Sequence, residues 1–267
     1  MALTRIACCQ ITPVIGDLTG NTELIATQIS AAAAAGAQVI VLPELATSGY
    51  MFADADEARS VALAAGAPDF GTWSVAAGSA VVIGGFCELG DDGRLYNSAA
   101  VVDADGFAAC YRKTHLWDRE RLIFTAGDAR PPVLVTVHGT IAVMVCYDLE
   151  FAELTRRAAL DGAELIVAPV NWPLFDRPEG EHPGEVITAM STARTNKVAV
   201  AVCDRTGIER EQQWTEGTSI ISPEGWVLAE VGAGTGIAIA DIDLSLTHDK
   251  SVTEHADLFA DRRLDLY

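Results

Sequence analysis

Two nearly superimposable segments, GAQVIVLPE at 36–44 and GAELIVAPV at 162–170, constrain the fold of this chain more than any other feature. Each is a continuous apolar run of strand length, the pattern of a strand covered on both faces. The first ends on Glu44 and the second leads into Asn171 and Trp172. Both therefore place polar residues at the carboxyl end of a buried strand, where open α/β sheets bind ligands. Two related halves meeting over one site are expected. A solenoid is not, because only two copies occur, far apart.

The rest of the chain fits that frame. Arg5 to Ile11 reads as a strand, and Asn21 or Thr22 caps a helix that turns Leu24, Ile25, Ile29, Ala32 and Ala33 to one side before Gly36 ends it. Strands are expected at 80–87 and 95–103, with hairpin turns at Asp91-Asp92-Gly93 and Asp103-Ala104-Asp105-Gly106. A buried strand from Thr140 to Val145 ends in Cys146, and Phe151 to Leu160 reads as a helix closed by Gly162. A helix near 184–196 and strands at 198–203, 218–222, 226–229 and 237–242 follow. Interleaved helices and strands with later hairpins indicate an α/β layered sandwich with mixed sheets. The polar tail 245–267 has little core of its own and is expected to lie along a partner subunit.

Composition narrows the function. Half of the 267 residues are hydrophobic, enough for one large core, and no break in composition divides the chain. A formal net charge of -19 argues against nucleic acid and anionic membrane surfaces as partners. The opening MALTRIACCQITPV lacks the apolar run and cleavage site of a signal peptide, and no apolar run reaches membrane-spanning length, so a soluble, cytoplasmic protein is expected. The six cysteines form no CxxC pair and read as reduced, and no histidine pair has helical metal-ligand spacing.

Cys146 stands apart from the other five thiols. It sits between a buried strand and a turn, Tyr147-Asp148, ahead of a helix expected to begin near Glu150, and the positive end of a helix favours the thiolate. A buried cysteine is more often a small core residue, and local sequence alone leaves both readings open. Glu44, at the end of an apolar strand, is either a turn carboxylate or a desolvated base. Lys113, in YRKTHLWDRE, is either a solvated lysine or a fixed positive charge for an oxyanion. His115 and Glu120 carry the same ambiguity, and a Cys-His pair is a rival mechanism.

Three segments together resolve these alternatives by resemblance. VLPELATSGY resembles the glutamate motif of the nitrilase superfamily, YRKTHLWDRE its lysine motif and VMVCYDLEFAEL its cysteine motif. YNSA at 96–99, GDAR at 127–130, NWP at 171–173 and TARTNKVAVAVCDRTG also look familial, so the similarity spans nearly the whole chain, as one carbon-nitrogen hydrolase domain over 1–244. The resemblance implies Glu44 as general base, Cys146 as a nucleophile forming a thioester, and Lys113 with the Tyr147 N–H as the oxyanion site. Glu120 matches a second glutamate that positions the substrate amide or the lysine. The same resemblance implies a four-layer αββα sandwich that forms a homodimer and uses no metal or organic cofactor. Two positions depart from the family pattern: Ala152 stands where proline is frequent, and Asp204 where asparagine is.

Within the superfamily, nitrilases typically carry Trp-Glu after the cysteine, whereas Tyr147-Asp148 is similar to the amidase and carbamoylase branches. CYDLEF with NWP looks most like aliphatic amidases acting on short carboxamides. The alternatives are an N-carbamoyl hydrolase or an ω-amidase, for which Arg177, Arg194 and Arg205 are the available carboxylate clamps, and less readily a nitrilase. Asn171 follows the second buried strand, and Trp172, Tyr50 and Trp117 border the catalytic motifs, which makes all four substrate-binding candidates. GAGTG at 232–236 lacks the lysine of a phosphate loop and reads as a turn.

Overall fold

The structure, a computed structural model, describes residues 3–266. Among the described residues sixteen strands and five α-helices occur, and the first part of the chain runs β1 (Thr4–Gln10), α1 (Leu18–Ala34), β2 (Val39–Val41), α2 (Ala55–Ser60), α3 (Phe70–Ala77), β3 (Val81–Leu89), β4 (Leu95–Asp103) and β5 (Gly106–Arg112). The second part runs β6 (Val133–Thr136), β7 (Gly139–Val143), α4 (Ala152–Leu160), β8 (Leu165–Pro169), α5 (Gly184–Asn196), β9 (Ala199–Cys203), β10 (Ile208–Glu209), β11 (Gln212–Gln213) and β12 (Ser219–Ile221). It closes with β13 (Val227–Glu230), β14 (Gly236–Ile242), β15 (Ser251–Thr253) and β16 (Ala256–Asp257).

Two six-stranded mixed sheets result, ordered β14-β1-β2-β3-β4-β5 and β13-β12-β9-β8-β7-β6. In the first, β2 is parallel to both β1 and β3, and in the second β8 is parallel to both β7 and β9. The two near-identical segments thus occupy equivalent central strands, as their shared pattern predicts. Alternation sorts the layers: Val39 and Val41 of β2 join the core between the sheets, while Ile40 and Leu42 pack outward with Ile25 and Ile29 of α1 and with Phe70 and Trp73 of α3. Ala158 of α4 and Ala189 and Ala193 of α5 cover the other sheet, which completes the αββα sandwich.

Local differences from the sequence reading have physical causes. Asp17, not Asn21 or Thr22, caps α1, accepting from the Gly20 N–H at 2.9 Å. Asn21 is instead buried inside the helix, its amide tying Val14 to Thr47. The ladder of β7 stops at Val143, and a 3-10 turn, Cys146–Glu150, precedes α4, which begins at Ala152 rather than near Glu150. Ala152 is the first residue of α4, the position where proline is preorganised, so the helix starts there without it. Gly232 and Gly234 have φ of 76° and 85°, and GAGTG is a turn whose carbonyls accept from Gln10.

Candidate active site

Glu44 lies just past β2, fully buried, where the backbone leaves the sheet. Its peptide crosses directly over Gly85 of β3: a Cβ on Gly85 would sit 2.3 Å from the Leu45 nitrogen and 2.5 Å from the Glu44 Cα. Asn171, at the end of the matching strand, donates from Nδ2 to the Glu44 carbonyl at 2.8 Å, and the Glu44 N–H donates to the Val170 carbonyl. The two halves are therefore joined at the backbone of Glu44.

Lys113 is as buried as Glu44, and its ammonium is shared between Glu44 Oε1 and Glu120 Oε1, 2.7 Å from each. Burial pulls its proton affinity down, but the facing charges of Glu120, Glu44 and Cys146 outweigh it and hold the ammonium protonated well above the usual lysine range. Asn97 of β4 donates to Glu44 Oε1 at 2.8 Å. Glu120 also accepts from the Tyr50 hydroxyl at 2.6 Å and, through Oε2, from the Trp117 N–H at 3.0 Å. Glu44 Oε2 has no hydrogen-bond partner among the described residues. Burial raises the Glu44 carboxyl to about 7 against the pull of Lys113, with Glu120 pushing the same way.

Cys146 opens the 3-10 turn with φ of 47°, a conformation that L-residues adopt only when the surroundings impose it. Its side chain is 6 % exposed. Burial and then the Glu44 charge raise the thiol well above the ordinary cysteine value, while Lys113 and the Asn171 N–H draw it down. The expected activation by a helix end is not what the structure shows; burial and the Glu44 charge favour the protonated thiol. Glu44 is the charged neighbour that acts on it most strongly, and one of its oxygens is uncommitted. A buried thiol, an uncommitted carboxylate and a fixed ammonium can together transfer a proton, deliver a sulfur nucleophile and hold an oxyanion.

Asp148 fastens this cluster to the lysine segment. Oδ1 accepts from Thr114 Oγ1, the His115 N–H and His115 Nδ1 at 2.8–3.1 Å, and Oδ2 accepts from the Tyr111 hydroxyl and the Val145 N–H. His115 is held there and stacks on Phe151 with ring centroids 3.6 Å apart. The charged groups acting most strongly on the Cys146 thiol are Glu44, Lys113 and Glu120.

A cavity of about 290 Å³ opens onto Cys146, walled by Trp117, Tyr147, Trp172, Pro173 and Phe175, with Glu150 and Glu185 also in its lining. The Trp172 ring sits over Gly217, where a Cβ would lie 2.8 Å from it, and the Trp172 backbone N–H donates to Asp204 Oδ1. Tyr50 faces a smaller adjoining space of about 80 Å³ with Trp117, Glu120 and Trp214, so Trp117, Tyr147 and Trp172 line the Cys146 cavity and Tyr50 and Asn171 do not. Arg177 lines a separate cavity of about 690 Å³, Arg194 lies against the Glu224 carbonyl, and Arg205 is buried on Glu209. None of the three lines the Cys146 cavity.

Three contributors escaped the sequence reading as individual site residues: Asn97, Asp148 and Asp204. Asn97 left a signal, a lone amide in an apolar strand-length run. The contacts of Asp148 and Asp204 depend on pairings distant along the chain, which no local pattern reports.

This arrangement is that of a carbon-nitrogen hydrolase, and the family model of that description matches residues 5–250; the chain belongs to this family, within the nitrilase superfamily. It is 33 % identical over 270 residues to a protein of Pyrococcus abyssi called a nitrilase, across 99 % of both chains. It is 31 % identical over 235 residues to a 2-oxoglutaramate amidase of Bacillus subtilis, covering 86 % of this chain and 87 % of that one. Among solved structures, a glutamate-to-glutamine variant of the amidase from Nesterenkonia sp. AN1, showing Michael addition of acrylamide at the active-site cysteine, matches with a TM-score of 0.80 and 26 % identity over 98 % of each chain. A cysteine-to-alanine variant of that amidase in complex with butyramide matches with a TM-score of 0.77 and 25 % identity, over 98 % of this chain and 95 % of that one.

Proposed function

We propose that this protein hydrolyses a small linear carboxamide to a carboxylic acid and ammonia through a thioester on Cys146. The observation that carries the reading is the buried Glu44–Lys113–Glu120 chain, 2.7 Å at each link, acting on a buried thiol. Glu44 takes the thiol proton as the sulfur attacks the amide carbon. Lys113 and the Tyr147 N–H hold the resulting oxyanion, and Glu44 returns the proton to the departing nitrogen, which leaves as ammonia. Water, deprotonated by Glu44, then attacks the thioester, releasing the acid and restoring the thiol. A carboxyl poised near 7 suits both directions of proton transfer. Glu120 fixes the lysine, Asn171 braces Glu44, and Trp117, Tyr147 and Trp172 shape the acyl pocket, with Tyr50 acting through Glu120.

The butyramide complex of the Nesterenkonia amidase supports a short aliphatic amide. An ω-amidase reading draws on the Bacillus relative, but no lysine or arginine lines the Cys146 cavity to hold a substrate carboxylate. An N-carbamoyl hydrolase uses the same steps. The proposal includes a cytoplasmic homodimer, supported by six free thiols among the described residues and by Val252, Leu264 and Leu266 of the tail 245–267, each more than half exposed. Incubating Glu44→Gln with butyramide and measuring intact mass tests the chemistry. A slow enzyme carrying a butyryl adduct on Cys146 is expected; full turnover by this variant removes Glu44 from the mechanism.

A further inference from the structure

The cavity that ends at Cys146 has a charge as well as a shape. Its walls are largely aromatic, yet two carboxylates, Glu150 at the end of the 3-10 turn and Glu185 in the first turn of α5, complete its lining without a lysine or arginine. Independently of these carboxylates, the free thiol of Cys146, 6 % exposed and opening onto the same space, marks it as a ligand site. Burial raises the Glu150 carboxyl, the charge of Glu185 raises it further, and the Thr188 side chain only partly offsets them. Glu150 is exposed and Glu185 half-buried, and the two carboxylates repel one another in the cavity lining, an arrangement that a cation between them relieves. A net charge of -19 deepens the same negative potential.

We propose that Glu150 and Glu185 form a cation subsite, and that the preferred substrate is a linear carboxamide whose far end carries a protonated amine. This rests on the amidase reading above and names its substrate class. Three residues of the 3-10 turn lie between Cys146 and Glu150, four steps that make a rise of about 8 Å. An acyl chain of roughly six bonded atoms spans that distance. Trp117, Tyr147 and Trp172, which line the cavity, offer aromatic rings to a cation along the way. A terminal carboxylate meets two like charges and no partner.

The test compares kcat/KM for three amides of similar length: 5-aminopentanamide, which is cationic, its neutral isostere hexanamide, and anionic glutaramate. The wild type is expected to favour the cationic amide over hexanamide by about tenfold at low salt, to disfavour glutaramate, and to lose part of both differences as ionic strength rises. Glu150→Gln combined with Glu185→Gln is expected to bring the cationic and neutral amides within about twofold of each other. Equal wild-type rates for the cationic and neutral amides, or a preference that survives the double variant, overturn the cation subsite and leave the amidase reading standing. Absence of turnover for all three, with Cys146 intact, overturns both.

Discussion

Replacing Asp148 by Asn tests whether the nucleophile turn and the lysine segment are held as one unit. The carboxylate accepts five hydrogen bonds, three on Oδ1 and two on Oδ2. An amide keeps an acceptor on one side only. With its oxygen toward Thr114 and His115, the new NH2 faces the Tyr111 hydroxyl, which can rotate to accept, and the Val145 N–H, which cannot. That buried N–H loses its partner at about 1–3 kcal/mol, and the three retained bonds each lose charge assistance of about 0.5–1 kcal/mol. The opposite orientation strands the His115 N–H and leaves its ring nitrogen dependent on a change of tautomer. A loss of about 3–5 kcal/mol is therefore expected. Because Val145 directly precedes Cys146 with its φ of 47°, relaxation of the turn displaces the sulfur. A shift of about 1 Å costs roughly 100-fold in rate. Urea unfolding at constant slope and ammonia release by the folded variant measure the two effects. Stability within about 1 kcal/mol of wild type together with turnover within twofold would refute the argument.

Further outcomes follow from the buried carboxyls. In the proposed mechanism Glu44 is a base only when deprotonated, so kcat/KM in a pH series is expected to climb as pH rises through about 7 and to fall below it; a flat profile from pH 5 to 9 separates Glu44 from proton transfer. Asp204 is raised to about 7 from 3.8 by burial, against the pull of three backbone N–H groups and Arg205. The native state therefore keeps a proton that the unfolded chain has already lost. Its contribution to stability is fully present below about pH 4, declines as pH rises to about 7, and is then level. Melting temperatures of wild type and Asp204→Asn are expected to diverge in slope over that window, with the variant flatter; parallel curves show that Asp204 does not titrate there.

Much of the architecture was legible because burial writes a pattern into sequence. The paired apolar runs announced β2 and β8, and the helix over 184–196 and the hairpins around 91–93 and 103–106 formed where glycine, aspartate and periodicity placed them. Misplacements fell at element ends. Asn21 has the composition of a cap but spends its amide on Val14 and Thr47, contacts that only the folded chain creates. The motifs around Glu44, Lys113 and Cys146 could be picked out by resemblance, but their convergence could not be read locally: Lys113 and Glu44 meet across 69 positions of chain, and Asn171 reaches Glu44 across 127. For the same reason the proton affinity of Cys146 was misjudged, since it depends on burial and on Glu44 more than on the turn that follows it.

The central claim is that Cys146 carries the acyl group of an amide. Ammonia release from acetamide, propionamide, butyramide, glutaramate and propionitrile, measured for wild type beside Cys146→Ala, tests it most directly. The account predicts release from the neutral short amides by the wild type and none by the variant, with circular dichroism unchanged between them. Ammonia release by the alanine variant at the wild-type rate would contradict covalent catalysis by this thiol.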